Sequence, residues 1–126
     1  MYFKKLLDDK AKIELKKIPA KRTISQNSYV HKLFTLWGSE YGLTTEEAKI
    51  TVKRALGYTY MKNGQEYFTQ TSGMDTKELT EFIDKFRTWA SHNGCYLPSA
   101  DEFGMNYAYY ESMVERSIAM EKKYGL

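Results

Sequence analysis

The dipeptide Asn63-Gly64, at the centre of the 126-residue chain, constrains its fold more than any other feature. A two-residue type I′ loop needs positive φ at both positions, which Asn tolerates and Gly adopts freely, and its twist matches that of antiparallel strands. The flanking segments, Tyr58-Thr59-Tyr60-Met61-Lys62 and Gln65-Glu66-Tyr67-Phe68-Thr69, are built of strand formers. Together they predict a hairpin over residues 58–69 in which Lys62 pairs with Gln65 and Tyr60 with Tyr67. Side-chain alternation then puts Tyr58, Tyr60, Lys62, Tyr67 and Thr69 on one face, and Thr59, Met61, Glu66 and Phe68 on the other.

Helical periodicity surrounds this hairpin. Tyr29, Val30, Leu33, Phe34, Trp37 and Tyr41 recur at steps of three and four, which predicts a helix capped by Ser25 and stopped by Gly42. Thr44 with Glu47 forms a capping box that opens a second helix, turns Ala48, Val52, Ala55 and Leu56 inward, and ends at Gly57. Beyond the hairpin, Asp75 and Glu78 repeat the box. Leu79, Phe82, Ile83, Phe86, Trp89 and Ala90 follow as an apolar stripe up to Asn93-Gly94. A connection containing Pro98 leads to a fourth helix over residues 106–124, with Tyr107, Tyr110, Met113, Val114 and Ile118 on one side. Near the amino terminus, Ile13 and Leu15 alternate with charged neighbours over residues 12–18, a half-buried strand pattern ended by Pro19. No repeat or linker divides the sequence. The expectation is an α+β fold: one domain over residues 1–126, with a small antiparallel sheet and about four helices.

Composition narrows the function classes. Hydrophobic residues make up 42% and charged residues 28%, which suits a folded soluble chain better than a disordered one. No apolar run approaches the ~20 residues of a membrane span, and the first residues carry no signal-peptide core. The single Cys95 cannot form an internal disulfide, so the expected compartment is the cytoplasm. The net charge of +3 is unevenly spread: residues 1–62 hold 13 Lys or Arg and 6 Asp or Glu, residues 63–126 hold 6 and 10. Such asymmetry predicts a basic surface for a polyanion. Its densest part is Lys16, Lys17, Lys21 and Arg22, followed by an acid-free stretch with Lys49, Lys53, Arg54 and Lys62. The plainer reading of these lysines is a solvated face.

Residues for catalysis are sparse. His31 and His92 are the only histidines, and His92-Asn93 is a fragment of a nuclease centre that also reads as a helix-end cap. Cys95 has no base beside it, Asp101 and Glu102 suit the first turn of a helix, and no phosphate-cradling glycine loop occurs. No enzyme, metal or cofactor is expected. Nucleic-acid contacts are easier to place. Lys21, Arg22, Gln26 and Asn27 converge on the start of the first helix, where free N–H groups and the dipole favour phosphate, although Ser25 with its neighbours also reads simply as a cap. Lys49 and Lys53 share a helix face, with Arg54 beside them. Tyr58, Tyr60 and Tyr67 either stack on single-stranded bases or pack on a helix.

The stretch Lys21-Arg22-Thr23-Ile24-Ser25-Gln26-Asn27, with Leu33 and Trp37 after it, resembles the Arg-Ser-x-x-Gln-Asn opening of the bacteriophage Orf/NinB recombination proteins. Thr71-Ser72-Gly73-Met74-Asp75-Thr76-Lys77-Glu78-Leu79 and the helix through Gly94 are similar to that family's Ser/Thr-x-Met-x-x-x-Glu segment and its following helix, so the resemblance spans residues 20–103. It implies a homodimeric, non-enzymatic mediator that binds single-stranded DNA and helps load a recombinase alongside the host single-strand-binding protein. The implied DNA or structural residues are Arg22, Gln26 and Asn27; Met74 and Glu78 would serve the helix start and its packing. Residues 104–126 depart from the pattern and are assigned to dimerisation or a protein partner. The competing readings are an adaptor for single-strand-binding protein that never touches DNA, and a diverged metal nuclease.

Overall fold

The computed structural model describes residues 24–124. The expected strand at 12–18, and Lys16, Lys17, Lys21 and Arg22, lie outside the described residues. The chain folds as a small α+β domain in the order α1 (Gln26–Glu40), α2 (Thr45–Leu56), β1 (Thr59–Lys62), β2 (Gln65–Phe68), α3 (Thr76–His92), α4 (Ala100–Met105) and α5 (Tyr107–Tyr124), with a 3-10 turn at Thr71–Gly73.

The starts of the helices follow from their caps. Ser25 Oγ accepts from the Ser28 N–H at 3.2 Å, and complete capping boxes at Thr44/Glu47 and Asp75/Glu78 open α2 and α3. A third box, Ser99/Glu102, opens α4, with Asp101 and Glu102 in its first turn as expected. This short fifth helix carries Phe103, fully buried, into the core. The hairpin forms in the expected register, Tyr60 opposite Tyr67 and Lys62 opposite Gln65, with φ of 53° at Asn63 and 78° at Gly64.

The core sits between α1 and α3. Phe34 stacks on Phe86 at 5.2 Å and meets Phe82 at 5.9 Å, while Trp37 lies 5.3 Å from Trp89. α2 crosses α1 closely at Gly38, where an added Cβ would meet the Leu43 carbonyl oxygen at 3.0 Å and Ala48 Cβ at 3.1 Å. α5 lies along α1. Val114 is buried there, Lys32 pairs with Glu111 at 2.6 Å, and Thr45 Oγ1 donates to Glu121 at 2.8 Å while standing 2.9 Å from Thr35 Oγ1. The Tyr29 hydroxyl donates to the Pro98 carbonyl at 2.6 Å, and burial pushes this phenol up to about 12. Two residues expected to point inward do not: Tyr41, which caps the end of α1, is exposed with its ring 4.9 Å from that of Trp37, and Ala55 on α2 is exposed because that helix turns Ala48, Val52 and Lys53 inward instead. Among the described residues, no helix is long and apolar enough to cross a membrane.

Candidate nucleic-acid interface

At the start of α1 the two residues of the Gln-Asn motif are placed differently. Gln26 Nε2 donates to Thr80 Oγ1 at 2.8 Å and so ties α1 to α3. Asn27 Oδ1 is buried and has no hydrogen-bond partner among the described residues. Met74 packs half-buried against the core and Glu78 closes the box of α3.

The stripe of cations expected along α2 is not an exposed stripe. Lys49 pairs with Glu46 at 3.1 Å, and the Arg54 guanidinium donates to both oxygens of Glu66, at 2.7 and 3.4 Å, while lying 5.4 Å from the centre of the Phe68 ring. Lys53 is only 5% exposed, which corrects its placement as a surface contact: α2 turns Ala48, Val52 and Lys53 together towards its neighbours and leaves Ala55 outside. Burial, then the charge of Lys49, holds the Lys53 ammonium below its usual range, with Glu46 opposing. His31 on α1 faces the same group. Its imidazole is held low by burial and by the charges of Lys49 and Lys53, again with Glu46 opposing. Sequence reasoning weighed His31 only as a metal ligand and missed its place beside these lysines, because the pairing of α1 with α2 is set by the approach at Gly38.

The hairpin tyrosines divide. Tyr58 packs edge-on against Phe82 at 4.8 Å, with the Lys85 ammonium 5.4 Å from its ring centre. Tyr60 and Tyr67 instead lie nearly parallel, 5.6 Å apart with 19° between planes, and are 52% and 39% exposed. Lys62 is exposed near the turn on the same face. Below the pair, a groove of about 410 Å³ is lined by Tyr58, Tyr60, Phe68, Met74, Glu78 and Glu81.

Charge is divided more sharply than by halves. Residues 24–124 hold 11 Lys or Arg against 13 Asp or Glu, whereas residues 1–23 hold 8 against 3. Residues 24–124 are thus slightly acidic, and the excess positive charge belongs to residues 1–23.

The remaining reactive groups stay apart. His31 lines a cavity of about 370 Å³ with Thr35, Thr45 and Val114, and His92 a different one of about 230 Å³ with Arg87 and Tyr96. Among the described residues no group of three or more His, Cys, Asp or Glu side chains is placed to hold a metal ion. The Cys95 thiol is buried and pushed up, by burial first and then by Glu40. Glu102 accepts from the Tyr96 hydroxyl and the Ser99 backbone N–H, which holds its carboxyl below the usual range. Compared with known proteins, the chain matches no family model, no curated protein and no solved structure.

Proposed function

We propose that the chain binds single-stranded DNA without sequence preference and acts, in the manner of the Orf/NinB proteins it resembles, as a non-enzymatic recombination mediator in the host cytoplasm. The observation that carries this reading is the exposed Tyr60–Tyr67 pair, whose rings lie parallel and outside the core. An aromatic pair left in water loses burial energy for the fold, and a flat ring face is what an unpaired base stacks on, at about 1–3 kcal/mol per base. Lys62 on the same face and the cationic residues before α1, Lys16, Lys17, Lys21 and Arg22 among them, supply the counterion-releasing charge that such stacking surfaces are paired with. Gln26 acts in this reading by tying the start of α1, next in sequence to those cationic residues, to Thr80 on α3, and Asn27 beside it is proposed as a DNA contact.

The partners implied are a second copy of the chain and host single-strand-binding protein. For the second copy, α5 offers Tyr109, Met113, Arg116 and Met120 at steps of four, three and four, a seam that suits an isologous helix pair. Tyr109 and Met120 are exposed, and Met113, Arg116 and Met120 line an apolar groove of about 490 Å³ against the end of α1.

The test is the affinity of the full chain and of a Tyr60→Ala/Tyr67→Ala variant for fluorescent oligo-dT at low salt. The double variant should bind at least tenfold more weakly while melting within a few degrees of the parent. Equal affinities would remove the hairpin from the interface.

A further inference from the structure

We propose that the groove beneath the hairpin tyrosines is a docking site for residues 16–22 of this same chain, which there compete with single-stranded DNA. The groove, about 410 Å³, is aromatic on its hairpin side, where Tyr58, Tyr60 and Phe68 line it, and acidic on its helical side, at Glu78 and Glu81. Among the described residues no Lys or Arg lines it. Both carboxylates keep capacity for a cation. Glu78 accepts the Asp75 N–H at 3.0 Å through one oxygen only, and Glu81 is exposed and makes no ion pair among the described residues. The hairpin rings already attract cations: the Arg54 guanidinium lies 5.4 Å from the centre of Phe68, and the Lys85 ammonium 5.4 Å from that of Tyr58. An aromatic groove flanked by carboxylates repels a phosphate backbone and suits a segment that is cationic and apolar at once.

Residues 16–22 have that chemistry. They hold four cations and no acid, with Ile18, Pro19 and Ala20 between Lys17 and Lys21. Proline fixes its own φ and disfavours helix at the residue before it, so such a stretch meets an aromatic groove at low entropic cost, as proline-rich ligands do. The described chain also starts in the right place. Gln26 is tied to Thr80 at 2.8 Å, and Thr80 lies on the same turn of α3 as Glu78 and Glu81. Arg22 is four residues before Gln26 and Pro19 seven, an extended reach of up to about 14 and 25 Å. Passing round a helix about 10–12 Å across is within that reach. Chain order then sets Lys21 and Arg22 against Glu81, and Ile18 and Pro19 against the rings.

Docking covers a face of Tyr60, one ring of the exposed pair, and engages cations that the DNA reading assigns to phosphate. A strand that stacks on Tyr60 must therefore displace the segment. The docking stands without the DNA reading; only the competition rests on it.

The experiment uses the full chain in two arms. In the first, trypsin at limiting concentration is added and the cut after Arg22 is timed by mass spectrometry. Glu78→Gln/Glu81→Gln, which keeps a side-chain acceptor for the capping box, should be cut at least fivefold faster than the parent while melting within a few degrees of it. Ile18→Ser/Pro19→Ser alters no charge and no residue of 24–124, should also be cut faster, and decides the matter if the first variant fails to fold. Equal rates in the parent and the folded variants overturn the docking. Protection that is lost on dilution of the parent places the segment in the groove of a second copy and overturns the proposal as stated. In the second arm, oligo-dT affinity is measured by anisotropy and should rise at least threefold in both variants. Faster cutting with unchanged oligo-dT affinity overturns the competition. Faster cutting with no oligo-dT binding by any form upholds the docking and removes the DNA reading, so the two fail separately.

Discussion

His31 shows how a single side chain links packing to solution behaviour. Burial and the adjacent Lys49 and Lys53 charges favour its neutral form, so its folded-state titration lies below the ordinary 6.5. The unfolded chain therefore binds the proton more readily than the folded one. The associated stability is complete above pH 6.5 and is lost as the pH falls through the lowered folded value. Chemical denaturation at pH 7.5 and pH 5 should show a larger acid loss in the parent than in His31→Gln, and identical losses would contradict the assignment. The sequence made Lys49 and Lys53 visible as cations on one helix face, but not that one of them is buried. A lysine has a long apolar stem and a charged tip, so its burial depends on the neighbouring helix and not on its own pattern.

At the scale of elements, the hairpin and four of the helices were legible because each is announced by local chemistry. Asn63-Gly64 supplies the positive φ pair, and Ser25, Thr44 and Asp75 supply side-chain acceptors for free N–H groups. Of α4 only the acidic first turn, Asp101 and Glu102, was legible, because six residues are too few for a repeat of the apolar pattern, although its Ser99/Glu102 box has the same spacing as the others. The approach of α2 to α1 was also hidden, since it depends on one missing Cβ. Replacing Gly38 by Ala would set a methyl 3.0 Å from the Leu43 carbonyl oxygen and 3.1 Å from Ala48 Cβ, closer than such contacts allow. The helices would have to separate, and urea titration should show a loss of about 1–3 kcal/mol. An unchanged midpoint would mean that the crossing has slack.

For the whole molecule, the net charge of +3 conceals a separation of charge along the chain. Residues 24–124 form a slightly acidic domain in which Lys32 pairs with Glu111, Lys49 with Glu46 and Arg54 with Glu66. The cationic excess lies before Ile24, and the exposed aromatic pair lies at the hairpin. The Tyr60–Tyr67 pairing could be read from the turn, but which tyrosines stay outside could not: Phe82 on α3 captures Tyr58 and leaves the other two. The α5 seam carries a further prediction. The parent chain should have twice its 14.8 kDa mass by light scattering, and Tyr109→Glu/Met120→Glu should be monomeric. A monomeric parent at high concentration would remove the dimer.

The central claim, that this chain holds single-stranded DNA, is tested most directly by its oligo-dT affinity across a salt series. The parent should bind tightly at low salt, with log K falling by about 0.7 per neutralised phosphate for each unit of log salt. Replacing Lys16, Lys17, Lys21 and Arg22 by Gln should flatten that slope by up to about 3. No measurable binding at the lowest salt, or an affinity indifferent to salt, would contradict the account.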